Sequence, residues 1–471
     1  MYPKKTLLSL IISLKIKTNV IINLEKFPHM EKILNRRLIR MEIQRQEYLD
    51  RLVNRIGNGS IKVITGLRRS GKSYLLNVMF YRYLIESKIP ENQIIRFSFD
   101  SAEDLEKIGE DIIELNINKR KVDYKKFMNY ISSFKSEEGP IFLLLDEIQI
   151  LEGFEYVLNG YLSNGKYEIY VTGSNSKFLS KDVITEFRGR GDEIHVMPLS
   201  FPEFYKFKNI DYKKAIDEYM TYGGLPQVVL AKTEEEKINY LKSLFETTYL
   251  KDIIERYNIK DIEGISDLLN IVASGISSLV NPLKLSNTFK SVSHADLSDV
   301  TISKYINCFE ESFILRKVLR YNVKGKSYIS TPYKLYFEDI GLRNARLNFR
   351  QIEPTHIMEN IIYNELINRG YSVDVGAVPI RGKDENGKDC KDYLEIDFVV
   401  NKGSLRFYIQ SAYALPNEQK ENQEFQSFRK VNDSFKKIIV VEDCPISHYT
   451  DEGFYITKLQ DFLLDDAMFN H

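Results

Sequence analysis

Cysteine is scarce in this sequence. The 471 residues hold three, Cys308, Cys390 and Cys444, far apart and with no Cys-x-x-Cys spacing. That excludes a disulfide framework and a cysteine-based zinc site, and it fits a reducing cytoplasm. The six histidines are scattered, and no His-Glu-x-x-His or similar pair sets up a metal centre. Net charge is absent as well, because 66 Lys and Arg balance 66 Asp and Glu. Bulk charge therefore gives no case for nucleic acid, and only a local patch could make one. There is no internal repeat and no low-complexity tract. No apolar run is long enough to cross a bilayer. Thr6 to Leu14, behind Lys4 and Lys5, has the look of a signal peptide, but Lys15 and Lys17 interrupt it and no small-x-small site follows. The character changes abruptly at Met30, so residues 1–29 read as an extension that translation from Met30 or Met41 would leave out. No stable membrane association is expected.

What the chain does have is ordinary globular composition, 43% apolar and 28% charged. Its length implies two to four domains. Residues 30–56 carry helical periodicity. Short apolar strands follow at 61–65, 94–99, 141–145, 168–172 and 193–196, with helical stretches between them. That alternation predicts an α/β fold, a parallel sheet covered by helices on both sides. The expected divisions are 30–200 for this core, 201–280 for a helical lid or linker, 281–345 for a third domain and 346–471 for a last one.

The first strand runs into Gly66-Leu67-Arg68-Arg69-Ser70-Gly71-Lys72-Ser73, and a helix follows. Glycines at both ends let the backbone wrap its N–H groups around a phosphate, and the helix start adds positive potential there. Lys72 would reach the β- and γ-phosphates of ATP, and the Ser73 hydroxyl would bind Mg²⁺. The alternative is a glycine-rich turn that caps a helix. Asp146 and Glu147 end the apolar strand 141–145. Two acids at a buried strand end are hard to explain as packing. Asp146 would complete the Mg²⁺ shell and Glu147 would act as general base on the attacking water. At the end of the next strand, Asn175, with Ser174 second, could position that water, or the segment could be a turn capping helix 176–180. In the loop Phe187-Arg188-Gly189-Arg190-Gly191, Arg190 or Arg188 could reach transition-state charge in its own or a neighbouring subunit, or the loop could be plain surface.

Together, Val63 to Ser73, Leu145-Asp146-Glu147-Ile148-Gln149, Thr172-Gly173-Ser174-Asn175, Gly189-Arg190 and Pro198-Leu199-Ser200-Phe201-Pro202-Glu203-Phe204 resemble a family of prokaryotic AAA-type ATPases with a C-terminal domain of unknown function. The resemblance covers roughly residues 40–460. It implies ATP and Mg²⁺ as cofactors, the roles given above for Lys72, Ser73, Asp146 and Glu147, and an ATP hydrolase.

Residues 281–340 read as a winged helix. The expected helices are Pro282 to Thr288 and Val300 to Glu311, and the expected wing strands are Ile314 to Tyr321 and Tyr328 to Tyr336. Ser303, Lys304, Lys324 and Lys326 would then lie near DNA phosphate, although Glu310 and Glu311 weaken that case and protein packing is an equal reading. The last domain resembles a restriction-endonuclease-like fold, with Glu359 and Glu365 on a helix and Asp397 on a strand. Its acid-x-Lys position carries Gln410 and Ala412, with Lys420 one helix on as a conceivable substitute. Nuclease activity is therefore not expected. Two functions follow: an ATPase coupling Mg-ATP turnover to conformational change acting on nucleic acid, or a nucleotide-gated switch that binds a protein partner. An arginine acting in trans would require a homo-oligomer.

Overall fold

Five strands organise the first half of the chain: β1 (Ile61–Thr65), β2 (Ile94–Ser98), β3 (Ile141–Asp146), β4 (Tyr167–Thr172) and β5 (Gly191–His195). They lie in the order β2-β3-β4-β1-β5, and every neighbouring pair is parallel. Alternate residues point to opposite faces of a strand, and both faces are apolar here. Val63, Phe97, Leu143, Leu145 and Val171 enter one core, and Ile64, Phe142, Leu144 and Tyr170 enter the other. This is the α/β arrangement expected from the alternating strands and helices. The computed structural model describes residues 42–471 apart from 119, 136–138, 174–186, 188, 294–296, 384–388, 466 and 470–471. The proposed extension 1–29 and both internal starts, Met30 and Met41, lie outside the described residues.

After β1 the chain turns into Lys72–Tyr74, a wide turn Leu75–Phe80 and Tyr81–Glu86, which form one unbroken helical run. Its buried side chains Leu75, Leu76, Met79, Phe80 and Leu84 pack on the second core face. Helix Gln46–Val53 packs there too, through Tyr48 and Leu52.

From Phe201 to Ser274 the described structure is helical. Its first helix, Phe201–Lys208, begins with a capping box in which the Ser200 hydroxyl accepts from Glu203 N and Glu203 accepts from Ser200 N. This explains the Ser-Phe-Pro-Glu sequence physically, because two helix-start N–H groups are satisfied reciprocally. Helices Pro282–Thr288 and Asp299–Glu311 follow.

The remaining strands are β6 (Leu279–Val280), β7 (Leu315–Asn322), β8 (Ser327–Phe337), β9 (Ser372–Lys383), β10 (Asp389–Lys402), β11 (Leu405–Ala412), β12 (Lys436–Val441), β13 (His448–Tyr449) and β14 (Tyr455–Lys458). They form one sheet in the order β13-β14-β12-β11-β10-β9-β7-β8-β6. The hairpin β7–β8, read from sequence as a wing, joins the C-terminal strands through parallel pairing of Arg320 with Val375. Helix Pro354–Asn368 buries Ile357, Met358, Ile361, Ile362 and Leu366 beneath this sheet. Among the described residues, no helix is long and apolar enough to cross a membrane.

Candidate nucleotide site

The loop after β1 requires its glycines. Gly66 has φ +134, and a Cβ there would stand 2.2 Å from the carbonyl oxygen of Val196. Gly71 has φ +100 and stands directly before the helix that starts at Lys72. Side chains rarely adopt either conformation. Lys72 is buried, and its ammonium donates to the carbonyls of Gly66 and Leu67, both at 2.9 Å. Burial pulls its pKa down to about 8, and the nearby carboxylates of Glu147 and Asp146 act in the opposite sense. The ammonium's direct partners are neutral carbonyls, and a phosphate would bring a charged one.

Two strand ends, those of β3 and β4, meet here. Asp146 closes β3 and is buried. Its Oδ1 accepts from Ser73 Oγ at 3.1 Å and from Thr172 Oγ1, at the end of β4. Its Oδ2 accepts from Asn77 Nδ2 at 3.3 Å. Burial pushes the Asp146 carboxyl up, against the hydrogen bonds from Thr172 and Ser73. Ser73 and Asp146 thus form a compact set of hard oxygen donors, which suits Mg²⁺. Glu147 follows with φ 53, its N–H donating to Thr172 Oγ1 at 3.2 Å.

The loop is held from behind by a residue that sequence reading missed. Arg45 is 4% exposed. Its Nη1 donates to the Ser70 carbonyl at 3.1 Å and the Met197 carbonyl at 2.8 Å. Its Nε and Nη2 fork onto Glu203 at 3.1 and 3.0 Å. The same Glu203 completes the capping box, so the Pro-Leu-Ser-Phe-Pro-Glu-Phe run braces the glycine loop. From the front, Arg68 pairs with Asp252 on helix Lys251–Tyr257, and Tyr249 OH donates to the Arg68 carbonyl at 2.6 Å. Arg69 takes φ 67 within the loop.

Comparison with known proteins bears on this arrangement. A family model described as an AAA domain matches residues 58–205, and one described as a domain of unknown function (DUF8612) matches residues 213–353. An uncharacterized protein of Haemophilus influenzae is 34% identical over 404 residues, covering 84% of this chain and 93% of that protein. The chain belongs to this family of AAA-domain proteins. The uncharacterized protein MJ1544 of Methanocaldococcus jannaschii is 29% identical over 410 residues, covering 84% of this chain and 83% of that protein. Among solved structures, the Walker-type ATPase PABY2304 of Pyrococcus abyssi superposes with a TM-score of 0.46 at 15% identity, covering 65% of this chain and 96% of that one. The P-loop fold of the AAA-domain protein rests on the family model, the parallel five-stranded sheet and the glycine loop.

Asn175 lies outside the described residues. Arg190 lies at the opposite end of β1 from Gly66, where its carbonyl accepts from Ile61 N at 2.8 Å. Five residues of strand, about 16 Å, separate it from the loop. It therefore does not reach the nucleotide site of its own chain. Its guanidinium contacts Ser163 Oγ at 3.4 Å.

A second cluster lies in the nine-stranded sheet. Lys334 on β8 is 2% exposed. Its ammonium stands 2.8 Å from Glu359, 2.7 Å from Glu395 and 3.3 Å from Asp397. Tyr336 OH donates to Glu359 at 2.7 Å, and Ser411 N donates to Asp397 Oδ2 at 2.8 Å. Gln410 Oε1 accepts from Asp397 N at 3.3 Å. Lys420 does not join this group and pairs with Glu424 at 2.6 Å. Glu365 pairs with Arg369 instead, at 2.7 Å. The lysine at this cluster thus comes from a strand far upstream, where no local spacing announces it.

Proposed function

We propose that the AAA-domain protein binds and hydrolyses Mg-ATP and uses the bound state to move the helical segment and the nine-stranded sheet relative to the glycine loop. The observation that carries this is the convergence of Lys72, Ser73, Asp146 and Glu147 at the ends of two strands that flank β4. The backbone of residues 66–73 and the Lys72 ammonium bind the phosphates. Ser73 and Asp146 would hold Mg²⁺, which supplies charge neutralisation at the phosphates. Glu147 takes a proton from the attacking water. The water oxygen bonds to the γ-phosphorus, the bridging bond to ADP breaks, and its electron pair leaves on the ADP oxygen. Lys72→Ala should abolish ATP binding, and turnover in that variant would refute the assignment.

Coupling is supported by two sets of contacts. The Arg68–Asp252 pair ties the loop to the helical segment. Thr65 Oγ1, one residue before the loop, lies 3.1 Å from His195 Nδ1, and His195 Nε2 lies 3.0 Å from Glu338, which also pairs with Arg316 at 2.9 Å. The next residue, Asp339, accepts from Gly224 N at 2.8 Å at the Gly-Gly-Leu-Pro break between helices. Nucleotide-dependent movement at β1 can thus be felt at the end of β8.

The output we favour is nucleic acid. Lys304 is exposed on helix Asp299–Glu311, and Lys324 and Lys326 are exposed at the β7–β8 turn of the winged-helix-like segment. The alternative is a nucleotide-gated adaptor for a protein partner. Stimulation of turnover by DNA supports the first, and turnover and mobility unchanged by DNA support the second. Arg190 would act only across a subunit boundary, so a role for it requires a homo-oligomer. In the restriction-endonuclease-like reading of the last domain, Lys334 fills the space among the carboxylates, and no cleavage is expected. Metal-dependent cutting of DNA that Asp397→Ala abolishes would overturn that reading.

A further inference from the structure

Beside Glu147 stands an amide with a role of its own. Gln149 lies in the short turn Ile148–Ile150, directly after the left-handed Glu147. A left-handed non-glycine residue is strained and persists where its surroundings enforce it. Here they do. Ile148 and Leu151 are fully buried, Val122 N donates to the Ile150 carbonyl at 2.9 Å, and Glu152 N returns to the Val122 carbonyl at 2.9 Å. The reversal brings the Gln149 side chain back onto Glu147, and Gln149 Nε2 donates to Glu147 Oε2. Among the described residues, the other amide atom, Gln149 Oε1, is buried and has no hydrogen-bond partner. An orphaned buried acceptor is costly, so a donor that arrives with the substrate would account for its placement. The attacking water is such a donor. It has two hydrogens, and the base takes only one.

We propose that Gln149 is a positioning residue for hydrolysis: its Nε2 aims the Glu147 carboxylate, and its Oε1 receives the second hydrogen of the attacking water. This rests on the reading of Glu147 as general base. Gln149 gains and loses no proton. One water proton passes to Glu147, the water oxygen bonds to the γ-phosphorus, and the electron pair of the broken bond leaves on ADP.

The test uses the full chain with Gln149→Leu, which removes both amide functions at similar volume, and Gln149→Glu, which keeps an acceptor but cannot aim the carboxylate. Both should lower kcat about 10- to 100-fold, below the full effect of losing a general base. In Gln149→Leu, which adds no charge, KM, the Kd for a fluorescent ATP analogue and the melting temperature should all stay at wild-type values. A loss of packing would move binding and melting as well, and that outcome would overturn the inference. Glu147→Gln is measured alongside. If it is inactive while Gln149→Leu turns over at the wild-type rate, the inference about Gln149 alone fails. If Glu147→Gln retains turnover, the reading of the base fails and the inference goes with it.

Discussion

Replacing Arg45 by Met tests how the glycine loop is braced. The side chain keeps its reach and loses its charge. The guanidinium makes two hydrogen bonds to buried-side carbonyls, those of Ser70 and Met197, and a forked pair with Glu203, whose side chain is 16% exposed. Breaking a buried pair by removing one partner costs about 3–5 kcal/mol. Glu203 keeps its bond from Ser200 N at 3.0 Å, which argues for the low end. Each abandoned carbonyl adds about 1 kcal/mol. A total of about 5 kcal/mol is expected from these contributions. Equilibrium urea unfolding of Arg45→Met, Glu203→Leu and the double variant measures it. The double variant should be more stable than the sum of the single effects allows, since it leaves no uncompensated carboxylate. ATP affinity should fall in Arg45→Met, because the loop loses its anchor at Ser70. A destabilisation under ~0.5 kcal/mol with no coupling between the two sites would refute the reasoning.

Other expectations follow from the same geometry. Gly66→Ala should lose nucleotide binding, because its Cβ would meet the Val196 carbonyl at 2.2 Å; wild-type affinity by fluorescent-nucleotide titration would contradict the loop geometry. Burial, with Asp397 adding, pushes the Glu359 carboxyl up to about 8 from its ordinary 4.5. A raised carboxyl favours the folded state fully below pH 4.5, and that contribution is lost as pH rises through about 8. Urea midpoints should therefore fall across this window in the wild type and fall less in Glu359→Gln; equal slopes would contradict it. Lys334→Met should destabilise most at the alkaline end of the same window, where the Glu359 carboxyl is ionised, and an effect that grows towards acid pH would refute that.

The nucleotide loop was legible because its constraints are local. Gly66 and Gly71 need conformations that other residues avoid, and Lys72 and Ser73 follow at fixed offsets. Asp146 was legible because a charge at the end of an unbroken apolar strand has few structural explanations. Arg45 was not, since its partner Glu203 lies 158 residues away and a lone arginine near a helix start has no pattern. Lys334 was hidden similarly, 63 residues from Asp397, on a strand whose own periodicity reads as a wing. Helix Asp299–Glu311 and the hairpin β7–β8 were visible as elements. The parallel pairing of β7 with β9 was not, because a strand's hydrophobic pattern marks its faces and leaves its neighbour open. Gln149 stood in plain view two residues after Glu147, but its role depends on the left-handed turn between them, which Glu147 does not announce in sequence.

The most direct test of the central claim is a paired measurement on Glu147→Gln: ATP binding by fluorescence titration and phosphate release over the same nucleotide range. The expected result is binding at wild-type affinity, because Lys72, Ser73 and Asp146 are untouched, with hydrolysis reduced about 10²- to 10⁴-fold, the usual contribution of a general base. Phosphate release at the wild-type rate from Glu147→Gln would contradict the account.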